Sequence, residues 1–130
     1  MIRVVLAENH PMMRSAIRML LQKADDILLV GEAVDGQAAL ELVEQLLPDV
    51  LLIDLAMPVL TGLEVTKRIK HRGLHTRVLI ISLHAEMAIV RQALHNGAQG
   101  YVNKSVAVDE LLPAIYAVHL GQTYISSDVS

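Results

Sequence analysis

The sequence predicts an α/β fold, a doubly wound five-stranded parallel sheet with helices on both faces. Three observations predict it. Short apolar runs alternate five times with segments whose apolar residues recur at helical spacing. The central run, residues 50–53, is apolar at every position, which is typical of a parallel strand covered on both faces. Polar side chains follow directly after four of the runs, where open α/β sheets build their sites.

Each predicted strand is followed by a predicted helix. The strands are expected at residues 2–7, 27–33, 50–54, 77–83 and 100–102. The helices are expected at residues 11–23, 38–47, 63–70, 85–96 and 109–120. The alternation favours right-handed crossovers between neighbouring parallel strands.

Proline and glycine set the expected helix ends. Pro11 suits the first turn of the first helix, and Pro48 stops the second. The pair Asn96-Gly97 is a good left-handed terminator for the fourth helix. Pro113 is expected in the first turn of the fifth helix, which Gly121 ends.

Length and composition narrow the class of protein. The 130 residues are enough for one domain with a real core, and 53% of them are hydrophobic but only 2% aromatic. The absence of cysteine excludes disulfides, thiolate metal sites and cysteine nucleophiles. A net charge of −3 gives no electrostatic reason for nucleic-acid binding by this segment. With no bilayer-length apolar run and no signal peptide, we expect a soluble cytoplasmic protein without membrane contact.

Four predicted strands end in polar residues whose types suit one reaction. Glu8 and Asn9 follow the first strand, and Asp54, Ser82 and Lys104 lie at the ends of the third, fourth and fifth. Taken singly, each is more simply a turn former, a strand-end hydroxyl or an exposed lysine. Taken together at one sheet edge, they suit phosphoryl transfer to Asp54. Mg²⁺ and Lys104 would screen the incoming charge, and Ser82 would donate a hydrogen bond.

Several segments of the sequence resemble a known family. The chain is similar to bacterial two-component response-regulator receiver domains, closest to the NarL/FixJ (LuxR-type) subfamily. The segments that carry the resemblance are RVVLAENHPMMR, VGEAVDGQAAL, PDVLLIDLAMPVLTGLE, RVLIIS, NGAQGYVNK and AIYAVHLGQTYIS. The resemblance implies the flavodoxin-like (βα)5 fold with strand order 2-1-3-4-5.

The resemblance also implies a role for each site residue. Asp54 would be the phosphoacceptor, charged by a sensor histidine kinase, and Lys104 the characteristic lysine of the family. Ser82 would be the switch hydroxyl and Tyr101 the switch aromatic. The metal ligands for Mg²⁺ would be Glu8, Asn9, Asp54 and the backbone carbonyl of Ala56.

The implied protein is a signalling domain that promotes only its own phosphorylation, and not an enzyme. Phosphorylation would pull Ser82 and reorient Tyr101, which would reshape the face made by the fourth helix, fifth strand and fifth helix. That face, or one made by the first and fifth helices, would form a homodimer or release an effector. Residues 1–120 would be the receiver, and 121–130 the start of a linker to a DNA-binding helix-turn-helix that this chain lacks.

Departures from the family pattern leave an alternative open. Asn9 stands where the family usually has aspartate, which removes one negative charge and predicts weaker Mg²⁺ binding. Leu83 is larger than the residue usual there, and Ser105 replaces a common proline. The alternative is a pseudo-receiver, an interaction or dimerisation module without Mg²⁺-dependent phosphorylation.

Other classes of site have less support in the sequence. An enzyme with Asp54 as covalent nucleophile lacks a general acid–base and a substrate-binding insertion, and a nucleotide-binding domain lacks a Gly-rich loop. The six histidines are scattered without ligand spacing. We therefore expect no histidine metal site, and expect His10 to be a solvated loop residue.

Overall fold

The apolar runs form one parallel sheet in the computed structural model, which describes residues 1–129. Its strands are β1 (Ile2–Ala7), β2 (Ile27–Ala33), β3 (Val50–Asp54), β4 (Arg77–Ser82), β5 (Gly100–Asn103) and β6 (Tyr124–Ile125). They lie in the order β2-β1-β3-β4-β5-β6. The predicted order of the first five strands is confirmed.

Five α-helices connect the strands and cover both faces of the sheet. They are α1 (Pro11–Gln22), α2 (Gly36–Leu46), α3 (Gly62–His71), α4 (Met87–Asn96) and α5 (Ala107–His119). Asp35 and Thr61 cap α2 and α3 by accepting hydrogen bonds from Ala38 N–H at 2.8 Å and Glu64 N–H at 3.2 Å. Gly97 ends α4 with φ +115°, the left-handed conformation that the sequence predicts.

The alternation of side chains along β3 creates two apolar cores. Leu51 and Ile53 pack on one face with α2, α3 and α4, and Val50 and Leu52 pack on the other with α1 and α5. All five residues of β3 are buried, as expected for a central parallel strand. Asp54, the last residue of this central strand, therefore lies buried at the carboxyl end of the sheet, between β1 and β4.

The sixth strand was not predicted. Residues 124–125 extend the sheet beyond β5, with Tyr124 N–H donating to the Gln99 carbonyl at 3.0 Å and Ser126 N–H to the Tyr101 carbonyl at 2.8 Å. The segment after α5 therefore pairs with the sheet through these two residues, and its role as the start of a linker stays a prediction. Two residues are too few for a periodic pattern, so the sequence alone gives no strand signal.

The start of α5 also differs from the prediction. A 3₁₀ turn, Lys104–Val106, leads into a helix that begins at Ala107, two residues earlier than expected. Pro113 is consequently the seventh helical residue and lies beyond the first turn. The Asn103 side chain accepts a hydrogen bond from Ser105 N–H at 3.0 Å and so caps the 3₁₀ turn.

The edge strand β2 contains a bulge. Val4 pairs with Leu29, but the next residue, Val5, pairs with Gly31, which leaves Val30 as an extra residue in β2.

No helix within residues 1–129 is both long and apolar enough to cross a membrane.

Candidate functional site

The carboxyl ends of β1, β3, β4 and β5 meet at one edge of the sheet. Glu8 follows β1, Asp54 and Ser82 are the last residues of β3 and β4, and Lys104 follows β5. Glu8, Asp54 and Ser82 are buried, with 0%, 3% and 2% of their surfaces exposed. Polar groups buried this deeply require partners.

Lys104 joins the two buried carboxylates. Its Nζ lies 2.7 Å from Glu8 Oε1 and 3.1 Å from Asp54 Oδ2, and only 7% of the side chain is exposed. One ammonium group thus balances two carboxylates, which leaves the cluster with a formal negative charge when both acids are ionised.

The two carboxyl groups have pKa values shifted in opposite directions. Burial, together with repulsion from Glu8, raises the pKa of Asp54 above its ordinary value. Burial also opposes ionisation of Glu8, but hydrogen bonds from Lys104 and from the His10 backbone N–H outweigh it and lower the pKa of Glu8.

Three buried side-chain oxygen atoms of the cluster have no hydrogen-bond partner in the described part of the chain other than the Lys104 ammonium. Apart from the Lys104 ammonium, no group in residues 1–129 donates a hydrogen bond to Glu8 Oε1, Asn9 Oδ1 or Asp54 Oδ2. Carboxylate and amide oxygens are ligands that a hard divalent cation prefers. The residues present therefore fit Mg²⁺, although Asn9 contributes a neutral oxygen where a carboxylate would add charge.

Ser82 and Tyr101 are connected through His84. The Tyr101 ring is fully buried, and its hydroxyl donates to the His84 backbone carbonyl at 2.7 Å. The His84 backbone N–H donates to Ser82 Oγ at 3.0 Å. Burial is the main reason that the pKa of Tyr101 lies above its ordinary value. Sequence reasoning missed His84 because only its backbone groups make these contacts.

Two glycines allow close contacts between backbone segments, Gly62 against the end of β3 and Gly36 against the loop before α3. A Cβ on Gly62 would lie 2.6 Å from the Asp54 carbonyl oxygen, and one on Gly36 would lie 1.9 Å from the Leu60 carbonyl oxygen. Real Cβ atoms do not approach backbone so closely, so glycine is required at both positions.

The sequence profile of the response regulator receiver domain matches residues 4–116. The chain belongs to this family. A receiver domain is a signalling domain that accepts a phosphoryl group in two-component systems, and this one is of the NarL and UvrY type.

Curated relatives extend well beyond the receiver. The probable transcriptional regulatory protein NarL of Mycobacterium tuberculosis is 40% identical over 125 residues, covering 96% of this chain and 58% of the relative. The response regulator UvrY of Escherichia coli is 35% identical over 130 residues, covering 100% of this chain and 60% of the relative. The chain thus spans little more than half the length of these relatives.

Solved structures agree with the fold of the receiver. The signal receiver domain of the putative response regulator NarL from Mycobacterium tuberculosis has a TM-score of 0.90 and 41% identity, covering 93% of this chain and 98% of that one. A LuxR-family two-component response regulator from Aurantimonas sp. has a TM-score of 0.93 and 34% identity, covering 98% and 91%. These matches cover nearly the whole chain.

His10 lies at the mouth of the receiver's site. Its side chain is 67% exposed, as expected for a loop residue, but Nδ1 is 3.1 Å from Glu8 Oε2 and 4.0 Å from Asp54 Oδ2. Its backbone N–H also donates to Glu8 Oε2 at 3.2 Å. The spacing along the chain gives no signal for His10, yet the fold brings one ligand atom each of Glu8, His10 and Asp54 within 4.8 Å of one another, and the expectation of no histidine metal site stays a prediction.

The remaining departures lie around the receiver's site. Leu83 is 73% exposed, so its bulk is not packed into the core. Ser105 donates through its backbone N–H and hydroxyl to Asn103 Oδ1, each at 3.0 Å, and this fixes the turn that carries Lys104. The Ala56 backbone N–H donates to Asp54 Oδ1 at 3.3 Å, and a metal-binding role for the Ala56 carbonyl stays a prediction.

Proposed function

We propose that Asp54 is the phosphoacceptor of this receiver and takes its phosphoryl group from a sensor histidine kinase. The observation that carries the proposal is the cluster of Asp54, Glu8 and Lys104, in which Lys104 Nζ lies 3.1 Å from Asp54 Oδ2. The raised pKa of Asp54 means that burial and the neighbouring Glu8 disfavour its ionised form, so a further positive charge beside it would stabilise that form.

The chain's own groups have distinct parts in the transfer. An Asp54 carboxylate oxygen attacks phosphorus, an acyl–phosphate bond forms, and the phosphorus–nitrogen bond to the kinase histidine breaks as that histidine leaves. Lys104 stays beside Asp54 and stabilises the negative phosphoryl oxygens, and the Ala56 N–H holds the other Asp54 oxygen. Ser82 supplies a hydroxyl for a phosphoryl oxygen.

Mg²⁺ would be held by Glu8, Asn9 and Asp54, with the Ala56 carbonyl as a further ligand. When bound, it supplies positive charge that screens the phosphoryl group from the two carboxylates. Because Asn9 is neutral, the affinity of Mg²⁺ for this site is lower than for a site with three carboxylates. The domain promotes its own phosphorylation and acts on no other substrate.

The output would be transcription regulation in the cytoplasm. The relatives named NarL and UvrY are response regulators longer than this chain, and a structural neighbour is described as a LuxR-family response regulator. We assign DNA binding to a LuxR-type effector domain outside these residues. The Ser82 and Tyr101 face, joined through His84, would transmit the signal.

A homodimer through α1 and α5 is supported by an apolar cleft between them. Met19 and Val108, beside this cleft, are 64% and 80% exposed. Lys23, the C-cap residue of α1, and Asp109 on α5 are also exposed. A two-fold arrangement that places α1 of each copy against α5 of the other would bring these opposite charges together.

A pseudo-receiver is the second candidate, and two observations favour it. Asn9 lowers the negative charge available to Mg²⁺, and Tyr101 is already buried without phosphorylation. In that case the output face would stay in one conformation, and the chain would act only as an interaction module.

The experiment is intact-protein mass spectrometry after incubation with a small-molecule phosphodonor, with and without Mg²⁺. We expect a Mg²⁺-dependent phosphoryl adduct that Asp54→Asn abolishes, while the exposed control Asp109→Asn retains it. An adduct that appears only in Asn9→Asp would favour the pseudo-receiver. An adduct that persists in Asp54→Asn would contradict the assignment of the phosphoacceptor.

A further inference from the structure

His10 faces the same carboxylates that would hold the cation. One ligand atom from each of Glu8, His10 and Asp54 lies within 4.8 Å of the others. Ligand atoms bonded to one ion at about 2.1 Å are separated by about 3.0–3.5 Å. The observed separations of 3.1 Å and 4.0 Å from His10 Nδ1 therefore need only small side-chain adjustments.

The backbone of His10 is held in place although its ring is exposed. His10 is the N-cap of α1, and its carbonyl accepts a hydrogen bond from Arg14 N–H at 2.9 Å. Its own N–H donates to Glu8 Oε2 at 3.2 Å. These contacts fix the Cα of His10 beside Glu8, so the imidazole reaches the site by rotation of its side chain alone.

The set of donor atoms determines which cations bind well. Mg²⁺ prefers carboxylates and water, and Asn9 has replaced one of the carboxylates of the family's pattern with an amide. An imidazole nitrogen instead suits borderline transition ions such as Zn²⁺ and Co²⁺. Two carboxylates, one imidazole and open positions resemble the ligand sets of accessible zinc sites.

We infer that His10 Nδ1 is a direct ligand of the cation bound by Glu8 and Asp54, and that it shifts this site from Mg²⁺ toward divalent transition ions of the Zn²⁺ and Co²⁺ class. The inference deepens the proposed function, on which it rests only for the identity of the two carboxylates. The neutral nitrogen adds a donor atom to the site, but it does not restore the negative charge that is missing at Asn9.

A simpler role for His10 is a hydrogen bond to Glu8 with no metal contact. Glutamine at this position retains a hydrogen-bond donor but lacks the imidazole nitrogen. The variant His10→Gln therefore separates the two roles. His84→Gln is the matched control, since His84 is also an exposed loop histidine beside a carboxylate, with Nδ1 3.6 Å from Glu86 Oε2.

The test measures Zn²⁺ and Mg²⁺ affinities of the untagged chain by titration calorimetry, together with the visible spectrum of bound Co²⁺. We expect His10→Gln to weaken Zn²⁺ binding about tenfold or more and to change the Co²⁺ spectrum. Its Mg²⁺ affinity should change less than about threefold, because Mg²⁺ favours oxygen ligands. His84→Gln should leave all three measurements unchanged.

Two results would overturn the inference. One is an unchanged Zn²⁺ affinity and Co²⁺ spectrum in His10→Gln, and the other is an equal loss in His84→Gln. Mg²⁺-dependent phosphorylation of Asp54 alongside either result would leave the proposed function standing. Conversely, His10-dependent Zn²⁺ binding without a phosphoryl adduct under any ion would uphold the inference and contradict the proposed function.

Discussion

At the scale of single residues, Lys104 determines whether the buried acids are tolerated. Its ammonium contacts both Glu8 and Asp54, and the three side chains are all nearly or fully buried. Removing one member of a buried ion cluster leaves uncompensated charge, which costs more than the intact cluster contributes. The stability of the receiver without metal thus depends strongly on this one lysine.

Replacing Lys104 with methionine should destabilise the metal-free domain. Two buried carboxylates would then face each other without a counter-charge, and we expect a loss of about 3 kcal/mol at pH 7. Chemical denaturation in a chelator measures it, with the exposed Lys67→Met as control. A loss no larger than that of the control would contradict the role of Lys104 as the counter-ion.

Replacing Asp54 with asparagine should have the opposite effect. The pKa of Asp54 is raised in the folded domain, so its ionised form opposes folding above that pKa. We expect Asp54→Asn to gain about 1 kcal/mol at pH 7 in a chelator. Since the folded protein takes up the proton first, the gain should shrink as the pH falls toward the ordinary carboxyl value. A gain that grows on acidification would contradict this sign.

At the scale of elements, the loop between β3 and α3 stores backbone strain beside Asp54. Val59 has φ +71°, a conformation that a β-branched residue rarely adopts, and the Pro58 carbonyl accepts from Leu60 N–H at 2.9 Å across it. The same carbonyl accepts from Gly36 N–H at 3.0 Å, which ties the loop to α2. The tie holds the strained turn in place.

Glycine at position 59 should relieve that strain. The Val59 side chain is 76% exposed, so its loss removes little packing. We expect Val59→Gly to stabilise the domain by about 1 kcal/mol in thermal or chemical unfolding. The control is Val34→Gly, another exposed loop valine, which lacks a positive φ and should lose stability. Equal losses in the two variants would show that Val59 is unstrained.

At the scale of the whole molecule, β6 makes the segment after α5 part of the folded domain. Glu110 in α5 accepts hydrogen bonds from the Tyr124 hydroxyl at 2.9 Å and from Ser126 Oγ at 3.2 Å. Ser126 Oγ in turn accepts from the Asn103 N–H at 3.2 Å. Residues 124–126 therefore share hydrogen bonds with α5 and β5, while the boundary at residue 120 stays a prediction.

Ending the chain at residue 120 should lower its stability. The shortened chain loses the β5–β6 pairing and leaves the Glu110 carboxylate without its hydroxyl partners, which we expect to cost about 2 kcal/mol. Comparison of thermal unfolding for residues 1–120 and 1–130 measures the difference. Glu110→Gln in the longer chain should give a smaller loss. Equal stability of the two lengths would show that residues 121–130 do not stabilise the domain.

The sequence predicts most of the fold because the fold depends on repeated signals. Continuous apolar runs such as residues 50–53 and 78–81 favour covered strands, and their alternation with helices leaves few topologies. The sequence could not predict β6, since it is made by pairing and by the Glu110 contacts.

The same distinction, between local sequence signals and contacts between distant segments, applies to the site. The positions of Glu8, Asp54, Ser82 and Lys104 follow from the ends of strands, so their common edge could be predicted. The burial of Tyr101, the link through His84 and the approach of the His10 ring depend on side-chain packing and backbone contacts between distant segments. No pattern along the chain encodes those contacts.

The bulge in β2 bears on how the domain behaves at high concentration. β2 is an outer strand of the sheet, and its apolar run ILLV, with Leu28 46% exposed, is the kind of segment that recruits strands from other molecules into aggregates. The extra residue Val30 interrupts the spacing of its free hydrogen-bonding groups. A straight incoming strand therefore cannot continue its ladder past Val30.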